Sequence, residues 1–210
     1  MHSHLTKNVG APGNNRLVNT EQPDFVLHAW VDESIHVDAG FYLLAASIAD
    51  PRECDAHRDA VRAAAPSVRR RIHWREEEHK DRLRIAEAFS YLDVAHTIVV
   101  ASPIDAKKQE RARRKCLERL LHELETLGVT RAKFESRTQP LNRRDTRMVD
   151  SMRGAGALTG KLRVEFEDPN LEPMLWIPDA VAGAVGADRL GVPGYRQALS
   201  VAIDAIELDL

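Results

Sequence analysis

The sequence predicts an α/β protein with a mixed, five-stranded sheet and helices on both of its faces. Two apolar runs, residues 25–31 and 41–49, lie near the start, and the segment SIHVDAG between them ends on Gly40, as in an antiparallel hairpin. Helical and strand-like segments then alternate, which is typical of a sheet covered by helices. At 210 residues the chain suits one well-packed domain, whereas two domains would each have a small core.

The first half of the chain predicts a tail and two helical segments in addition to the hairpin. Residues 1–23 are rich in Gly, Asn and Pro, so we expect a disordered tail before a single domain over 24–210. Pro51 after Asp50 predicts the first residue and the N-cap of a helix over about 51–65. The next segment begins irregularly and becomes helical, because its apolar residues approach the helical spacing.

The second half contains the clearest periodic patterns. The longest helix is predicted over about 105–127, because its leucines follow the 3.6-residue period and Gly128 ends it. These leucines are Leu117, Leu120, Leu121, Leu124 and Leu127. Residues 162–167 alternate apolar and charged side chains, which predicts a strand with one wet face. The remaining elements are strands over 95–102 and 131–136, a short helix over 142–152, a helix opening at Pro178, and a last helix over 195–208.

Composition and charge exclude several classes of protein. The chain is 43% hydrophobic and 30% charged, which is ordinary for a soluble globular protein, and it has no apolar run of membrane-spanning length. Its formal net charge of -2 provides no global basic field, so a nucleic-acid partner would require a local patch. The two cysteines, Cys54 and Cys116, form neither a disulfide framework nor a metal-ligand spacing. We therefore expect a reduced, cytoplasmic protein.

Two adjacent acids, Asp32 and Glu33, follow the first apolar strand directly. Successive strand residues point to opposite faces, so the two side chains cannot share a face if the strand is regular there. Asp32 continues the face of Trp30, and Glu33 continues the face of Val31. An alternative is that Asp-Glu-Ser simply opens a turn. Of the two acids, Asp32 is the one expected to be a site residue with direct ligand contacts.

Two further acids occupy comparable positions. Glu135 ends the strand containing KFES, and Asp179 lies at the start of a helix of small residues. Each has a simple alternative interpretation. Glu135 could be an exposed strand-end acid paired with Arg137, and Asp179 could favour a helix N-terminus through the macrodipole.

Together these acids predict a divalent-metal site. Adjacent strand ends and a following helix start can meet at one edge of a mixed sheet, which would bring Asp32, Glu135 and Asp179 together. Three converging carboxylates repel one another unless a cation neutralises them. Oxygen ligands at a half-open site suit Mg²⁺ or Mn²⁺, as in phosphodiester cleavage by metal ions.

The motifs also resemble a large, poorly characterised prokaryotic protein family with a ribonuclease H-like fold. That family has Asp-Glu-Ser after its first strand, a mid-chain Lys/His segment, a strand ending near Glu-Ser-Arg, and a late helix containing Asp. The matching pieces here are VDES (31–34), IHW (72–74), FESR (134–137) and PDAVAGAV (178–185). Their order and spacing extend over most of residues 25–188, and the specificity lies in the set because each motif is short.

The resemblance implies an acidic centre of Asp32, Glu135 and Asp179, with Glu33 assisting and Mg²⁺ or Mn²⁺ bound. His73 matches the mid-chain polar position, where it could contact phosphate or transfer a proton, although it could equally order a loop. The sequence departs from the family in three places. Ile35 replaces the usual Gly, which predicts a different hairpin entry, and Trp176 and Pro178 precede Asp179, which could re-aim its carboxylate.

Arginines near these motifs provide the local basic patch that a nucleic acid requires. The candidate nucleic-acid-binding residues are Arg69, Arg70, Arg71, Arg75, Arg137 and Arg143. A further basic run over 107–119 is interleaved with glutamates, so it could equally be a solvated helix face.

The sequence thus predicts a metal-dependent phosphodiesterase or nuclease acting on DNA or RNA. Two alternatives remain open at this point. One is a non-catalytic module on the same fold that binds nucleic acid or protein, and the other is a small nucleotide ligand in the acidic pocket.

Overall fold

The computed structural model describes residues 26–67 and 70–210, so the tail predicted over 1–23 lies outside the described residues. The strands are β1 (Leu27–His36), β2 (Phe41–Ala49), β3 (Ala95–Ala101), β4 (Val129–Glu135), β5 (Arg163–Glu167) and β6 (Ile203–Leu208). The helices are α1 (Cys54–Ala64), α2 (His79–Phe89), α3 (Gln109–Thr126), α4 (Gln139–Gly154), α5 (Trp176–Arg189) and α6 (Gly194–Leu199). Short 3-10 turns occupy Trp74–Glu76, Ala106–Lys108 and Pro173–Leu175.

The strands form one mixed sheet in the order β5-β4-β1-β2-β3-β6. The predicted hairpin is confirmed, since β1 and β2 pair antiparallel and Gly40 has a positive φ of 74° at its turn. β3 continues antiparallel to β2, whereas β4 lies parallel to β1, β5 parallel to β4, and β6 parallel to β3. The sheet is therefore mixed as predicted, but it has six strands rather than five.

The additional strand is β6, where the sequence analysis predicted a helix over 195–208. The helix α6 ends at Leu199, because Ser200 adopts a left-handed conformation with φ of 48°. Residues 203–208 contain good helix formers, but in the fold they pair with the otherwise open edge of β3. Tertiary pairing overrides local propensity here.

Helices cover both faces of the sheet, which confirms the predicted layers. One face packs against α1, α2, α5 and α6, and Trp30 contributes to this core. The other face packs against α3 and α4, with Ala29 and Val31 in its core. Consecutive residues of β1 thus alternate between two buried cores, as the period of a strand requires. None of the helices in the described residues is long and apolar enough to cross a membrane.

The predicted end of the first strand was wrong, because β1 continues through the Asp-Glu-Ser motif to His36. Pairing with β2 extends from His28 to His36, and Ile35 pairs with Tyr42 within it. Pairing with β4 stops earlier, at Val31 opposite Phe134. The acids therefore lie inside the hairpin but beyond the last residue pair shared with β4. The interpretation of Asp-Glu-Ser as a turn is excluded.

Three helix boundaries also differ from the predictions. α1 begins at Cys54 rather than Pro51, because the Asp50 side chain accepts a hydrogen bond from the backbone N–H of Arg52 and forms a separate turn. α4 is longer than predicted and begins at Gln139, and α5 begins at Trp176, before the proline that was expected to open it. Proline in a first helical turn loses no intrahelical hydrogen bond, so both helices accommodate it.

A buried ionic network connects β1 to the two helices on the α3 face. The Arg113 side chain, only 5% exposed, bonds to the carboxylates of Glu33 and Asp145. The Tyr42 hydroxyl also donates to Glu33, and Arg137 pairs with Asp145 at 3.2 Å. A buried arginine that satisfies two carboxylates fixes the relative positions of β1, α3 and α4.

We expect Arg113→Leu to lower the free energy of unfolding by about 3 kcal/mol, because it leaves the buried Asp145 and the half-buried Glu33 with fewer partners. Arg114→Leu is the matched control, since Arg114 is 66% exposed and, among the described residues, forms an ion pair only with the neighbouring Glu118. The control should cost less than about 1 kcal/mol. Urea unfolding followed by circular dichroism measures both variants, and equal losses would contradict the structural role assigned to Arg113.

The leucine stripe of α3 is confirmed at four of its five positions. Leu117, Leu120, Leu121 and Leu124 are buried, but Leu127 follows the last helical residue and is 50% exposed. Because the helix ends at Thr126, Leu127 no longer follows the helical period that places the other leucines against the sheet.

We expect Leu120→Ala to lower the free energy of unfolding by about 2–5 kcal/mol, because it leaves a cavity in a fully buried site. Leu127→Ala deletes the same atoms at an exposed site and should cost less than about 1 kcal/mol. Denaturant midpoints of the two variants test the boundary of α3. A comparable loss in Leu127→Ala would contradict its exposed position.

Candidate functional site

Asp32 lies where β1 has lost its partner β4 but still pairs with β2. Its position continues the face of Trp30, which packs toward α5. The side chain is half-buried, and one of its oxygens accepts a 2.8 Å hydrogen bond from the backbone N–H of Glu33. Burial and the negative charges of Asp179 and Glu135 raise the pKa of Asp32 well above its ordinary value.

Glu135 is the last residue of β4 and lies one position beyond Phe134, the last partner of β1. By strand alternation it points to the same face as Asp32, since Phe134 and Val31 both belong to the opposite core. Its carboxylate accepts a 3.4 Å bond from Arg71. Burial raises the pKa of Glu135, an effect that the nearby Arg71 guanidinium opposes.

Asp179 lies in the first turn of α5, the helix that packs across this face. Its Oδ2 accepts a 2.8 Å hydrogen bond from the backbone N–H of Trp74. Trp176 and Pro178, which differ from the residues usual in the resembled family, are both buried. The indole N–H of Trp176 donates to the carbonyl of Pro169. The carboxylate of Asp179 thus remains directed at the edge of the sheet.

These three side chains line one pocket of about 200 Å³, which we call the acidic pocket (Asp32, Glu135 and Asp179). The structure therefore brings together the three acids that the sequence analysis selected from separate elements. Within the described residues, however, no three His, Cys, Asp or Glu side chains are already arranged to hold a metal ion. All three carboxylates instead bond to protein donors, Asp32 to the Glu33 N–H, Glu135 to Arg71 and Asp179 to the Trp74 N–H.

The donor chemistry of the acidic pocket nevertheless suits a hard cation. All three side chains offer carboxylate oxygens, the ligands that Mg²⁺ and Mn²⁺ prefer. Burial raises the pKa of Asp32, and the negative charges of Asp179 and Glu135 raise it further. A divalent cation held by these residues would remove that repulsion.

His73 also lines the acidic pocket, as the sequence analysis expected. Its Nδ1 lies 3.4 Å from Oδ2 of Asp179, and this bond raises the pKa of His73. The loop carrying His73 is anchored by Glu77, a buried carboxylate that accepts bonds from the His73 backbone N–H and from Arg70. Sequence reasoning missed Glu77, because nothing in the run Glu76–Glu78 distinguishes the buried acid from its exposed neighbours.

Glu33 reaches the rim of the acidic pocket from the opposite face of β1. Its carboxylate bonds to Arg113 and Tyr42, so it is not grouped with the three acids. Strand alternation thus places Asp32, rather than Glu33, on the face of β1 that carries the three acids, although Glu33 also lines the pocket. The sequence also showed no sign of the network formed by Arg113, Tyr42 and Asp145, because these residues come from three separate elements and form no local pattern.

The arginines predicted to bind nucleic acid fall into two groups. Arg70, Arg71 and Arg137 pair with carboxylates of the protein. Arg75 and Arg143 are exposed and form no ion pair with any described residue. Arg69 lies outside the described residues.

A larger groove of about 610 Å³, the side groove (Ser34–Val37, His73–Arg75, Arg82, Gly183, Ala187 and Leu190), opens next to the acidic pocket. It shares Glu33, His73 and Asp179 with that pocket, so the two cavities are adjacent. The glycine-containing helix α5 forms one wall, and the extension of β1 forms the other.

Comparisons with known proteins bear on the fold. No protein-family profile matches the chain, and no curated protein matches it in sequence. Among solved structures, the chain is similar to the ribonuclease HII in the PCNA:RNase HII complex from Archaeoglobus fulgidus, with a TM-score of 0.52 and 13% identity. The match covers 82% of this chain and 79% of that chain. The chain therefore has the ribonuclease H-like fold that the sequence resemblance implied, built on six strands.

Proposed function

We propose that this protein is a metal-dependent nuclease in which Asp32, Glu135 and Asp179 hold Mg²⁺ or Mn²⁺. The observation that carries the proposal is the acidic pocket itself, where three carboxylates from β1, β4 and α5 line one cavity on a ribonuclease H-like sheet. The pKa of Asp32, raised by burial and by the charges of Asp179 and Glu135, supports it, because a carboxylate in such surroundings favours either a proton or a cation.

The residues of the pocket have distinct roles in this proposal. When bound, a divalent ion supplies activation of water and stabilisation of the leaving oxygen in phosphodiester cleavage. Asp32, Glu135 and Asp179 would hold such an ion through their carboxylate oxygens. His73 is oriented through Nδ1 by Asp179, which leaves Nε2 to exchange a proton with the substrate. Arg71 would leave Glu135 for a substrate phosphate.

The second candidate function is a module that binds nucleic acid without cleaving it. The observation that favours it is the bonding of Glu135 to Arg71 and of Asp179 to the Trp74 N–H, which occupies two carboxylates without a metal. The two functions differ in their response to divalent ions. A binding module should show salt-sensitive binding that is unaffected by Mg²⁺.

We expect the wild-type protein to cleave RNA, DNA or an RNA–DNA hybrid only with Mg²⁺ or Mn²⁺, and Asp32→Asn to reduce the rate at least about 100-fold. Asp38→Asn is the matched control, because Asp38 is an exposed acid in the turn of the same hairpin. The measurement is the cleavage of labelled substrates with Mg²⁺, Mn²⁺ or EDTA.

Calorimetric titration with Mn²⁺ distinguishes a lost ligand from a misfolded variant, and Asp32→Asn should lose Mn²⁺ affinity while it keeps the wild-type melting temperature. Equal cleavage by the wild type and Asp32→Asn would contradict the nuclease proposal. Metal-independent binding with no cleavage by either protein would establish the second candidate instead.

A further inference from the structure

The side groove adjoins the acidic pocket at Glu33, His73 and Asp179. Glu33, His73 and Asp179 border both cavities, so a strand whose phosphate reached the acidic pocket could continue directly into the groove. The groove volume of about 610 Å³ falls within the range of about 300–1,000 Å³ that is usual for small-ligand sites. It is therefore large enough for one nucleotide unit.

The distribution of unpaired positive charge favours the same direction. On the opposite side of the acidic pocket, Arg113 and Arg137 are committed to the carboxylates of Asp145, Glu33 and Glu110. In the side groove, neither Arg75 nor Arg82 pairs with a carboxylate of the described residues. A polyanion that leaves the acidic pocket through the groove thus meets two cations that no carboxylate of the described residues compensates.

The walls of the groove are fixed before any ligand binds. The His36 ring stacks on Phe41 with a centroid separation of 4.5 Å, and it lies so close to α5 that a Cβ at Gly186 would approach its Nε2 to 2.5 Å. The Trp74 ring similarly occupies the space above Gly183, where a Cβ would lie 2.0 Å from Cδ1. Glycine at both positions lets the rings pack against the helix backbone. Little ordering cost then remains for binding.

Arg75 and Arg82 are also held in place on this side. Arg82 donates to the carbonyls of Trp74 and Arg75, at 2.9 and 3.0 Å, and its guanidinium lies over the Trp74 ring at 5.7 Å. These bonds hold the backbone of the Trp74–Glu76 turn while the Arg75 side chain stays exposed. The groove lining also includes the apolar side chains of Val37, Ala187 and Leu190, which suit the face of a base.

We propose that the side groove binds the nucleotide adjacent to the scissile phosphate, with Arg75 on the backbone phosphate and the base against Ala187 and Leu190. The inference rests on the proposed nuclease function and adds to it the path of the substrate strand. Arg75 is a substrate-binding residue in this assignment, and the two apolar residues determine how well a base fits.

The charge arm of the test measures binding apart from cleavage. Fluorescein-labelled RNA, DNA and hybrid probes are titrated by anisotropy in an Asp32→Asn background, with Mg²⁺ present and salt varied. We expect Arg75→Gln to weaken binding and to reduce the slope of log Kd against log salt by about one. Arg84→Gln removes the same charge from the exposed face of α2, outside the groove, and should leave the slope unchanged.

The steric arm fills the groove. We expect Ala187→Phe to weaken binding of the same probes at least about 5-fold, because it occupies the space of a stacked base. Ala63→Phe on the exposed face of α1 is the control. Leu190→Trp at the exposed rim provides a second variant that does not depend on repacking, and melting temperatures identify any loss of folding.

The outcomes separate the two proposals. Unchanged binding in both Arg75→Gln and Leu190→Trp, or no binding by the parent protein, would overturn the groove assignment, whatever the cleavage assay shows. Binding that depends on the groove supports the assignment even if the wild type cleaves nothing, in which case the nuclease proposal alone fails.

Discussion

The unequal pairing of β1 is the constraint on which the site depends. β4 leaves β1 at Val31, while β2 continues beside it to His36. The backbone therefore stays extended through Asp32 and Glu33 but opens on one side, and alternation sends the two acids to opposite faces. Asp32 then faces α5 and the acidic pocket, whereas Glu33 bonds to Arg113 on the α3 face. One dipeptide thus serves both a candidate site and the ionic network beneath it.

Contacts within the protein offset only part of the electrostatic repulsion among the carboxylates of the acidic pocket. Three carboxylates in one pocket repel one another, and burial strengthens the repulsion. Arg71 and the Trp74 N–H each stabilise one carboxylate, but Asp32 has only a backbone N–H and a strongly raised pKa. The loop carrying Arg71, His73 and Trp74 is consequently part of the site's charge balance. A cation in the pocket would compete with those contacts for the oxygens of Glu135 and Asp179.

The sequence predicted the parts of this protein that have a local pattern or a recurring motif. The hairpin, the leucine stripe of α3 and the layered sheet follow from periodicity, and the three acids followed from strand ends and motif order. What it missed depends on contacts between distant segments. β6 forms because β3 offers an open edge, and Glu77 and Arg113 are buried by loops and helices that come from elsewhere in the chain. Neither burial nor pairing partner is visible in their immediate neighbours.

Local pairing, rather than net charge, decides where a polyanion could bind. The formal charge of -2 predicts no attraction, and most arginines near the site neutralise carboxylates of the protein itself. Breaking a desolvated pair such as Arg113–Asp145 would leave an uncompensated buried charge, so these arginines are unavailable to a ligand. Arg75 and Arg82 lack such partners among the described residues, and both lie in the side groove. A slightly acidic protein can therefore direct a nucleic-acid strand with a few uncompensated charges beside a fixed apolar wall.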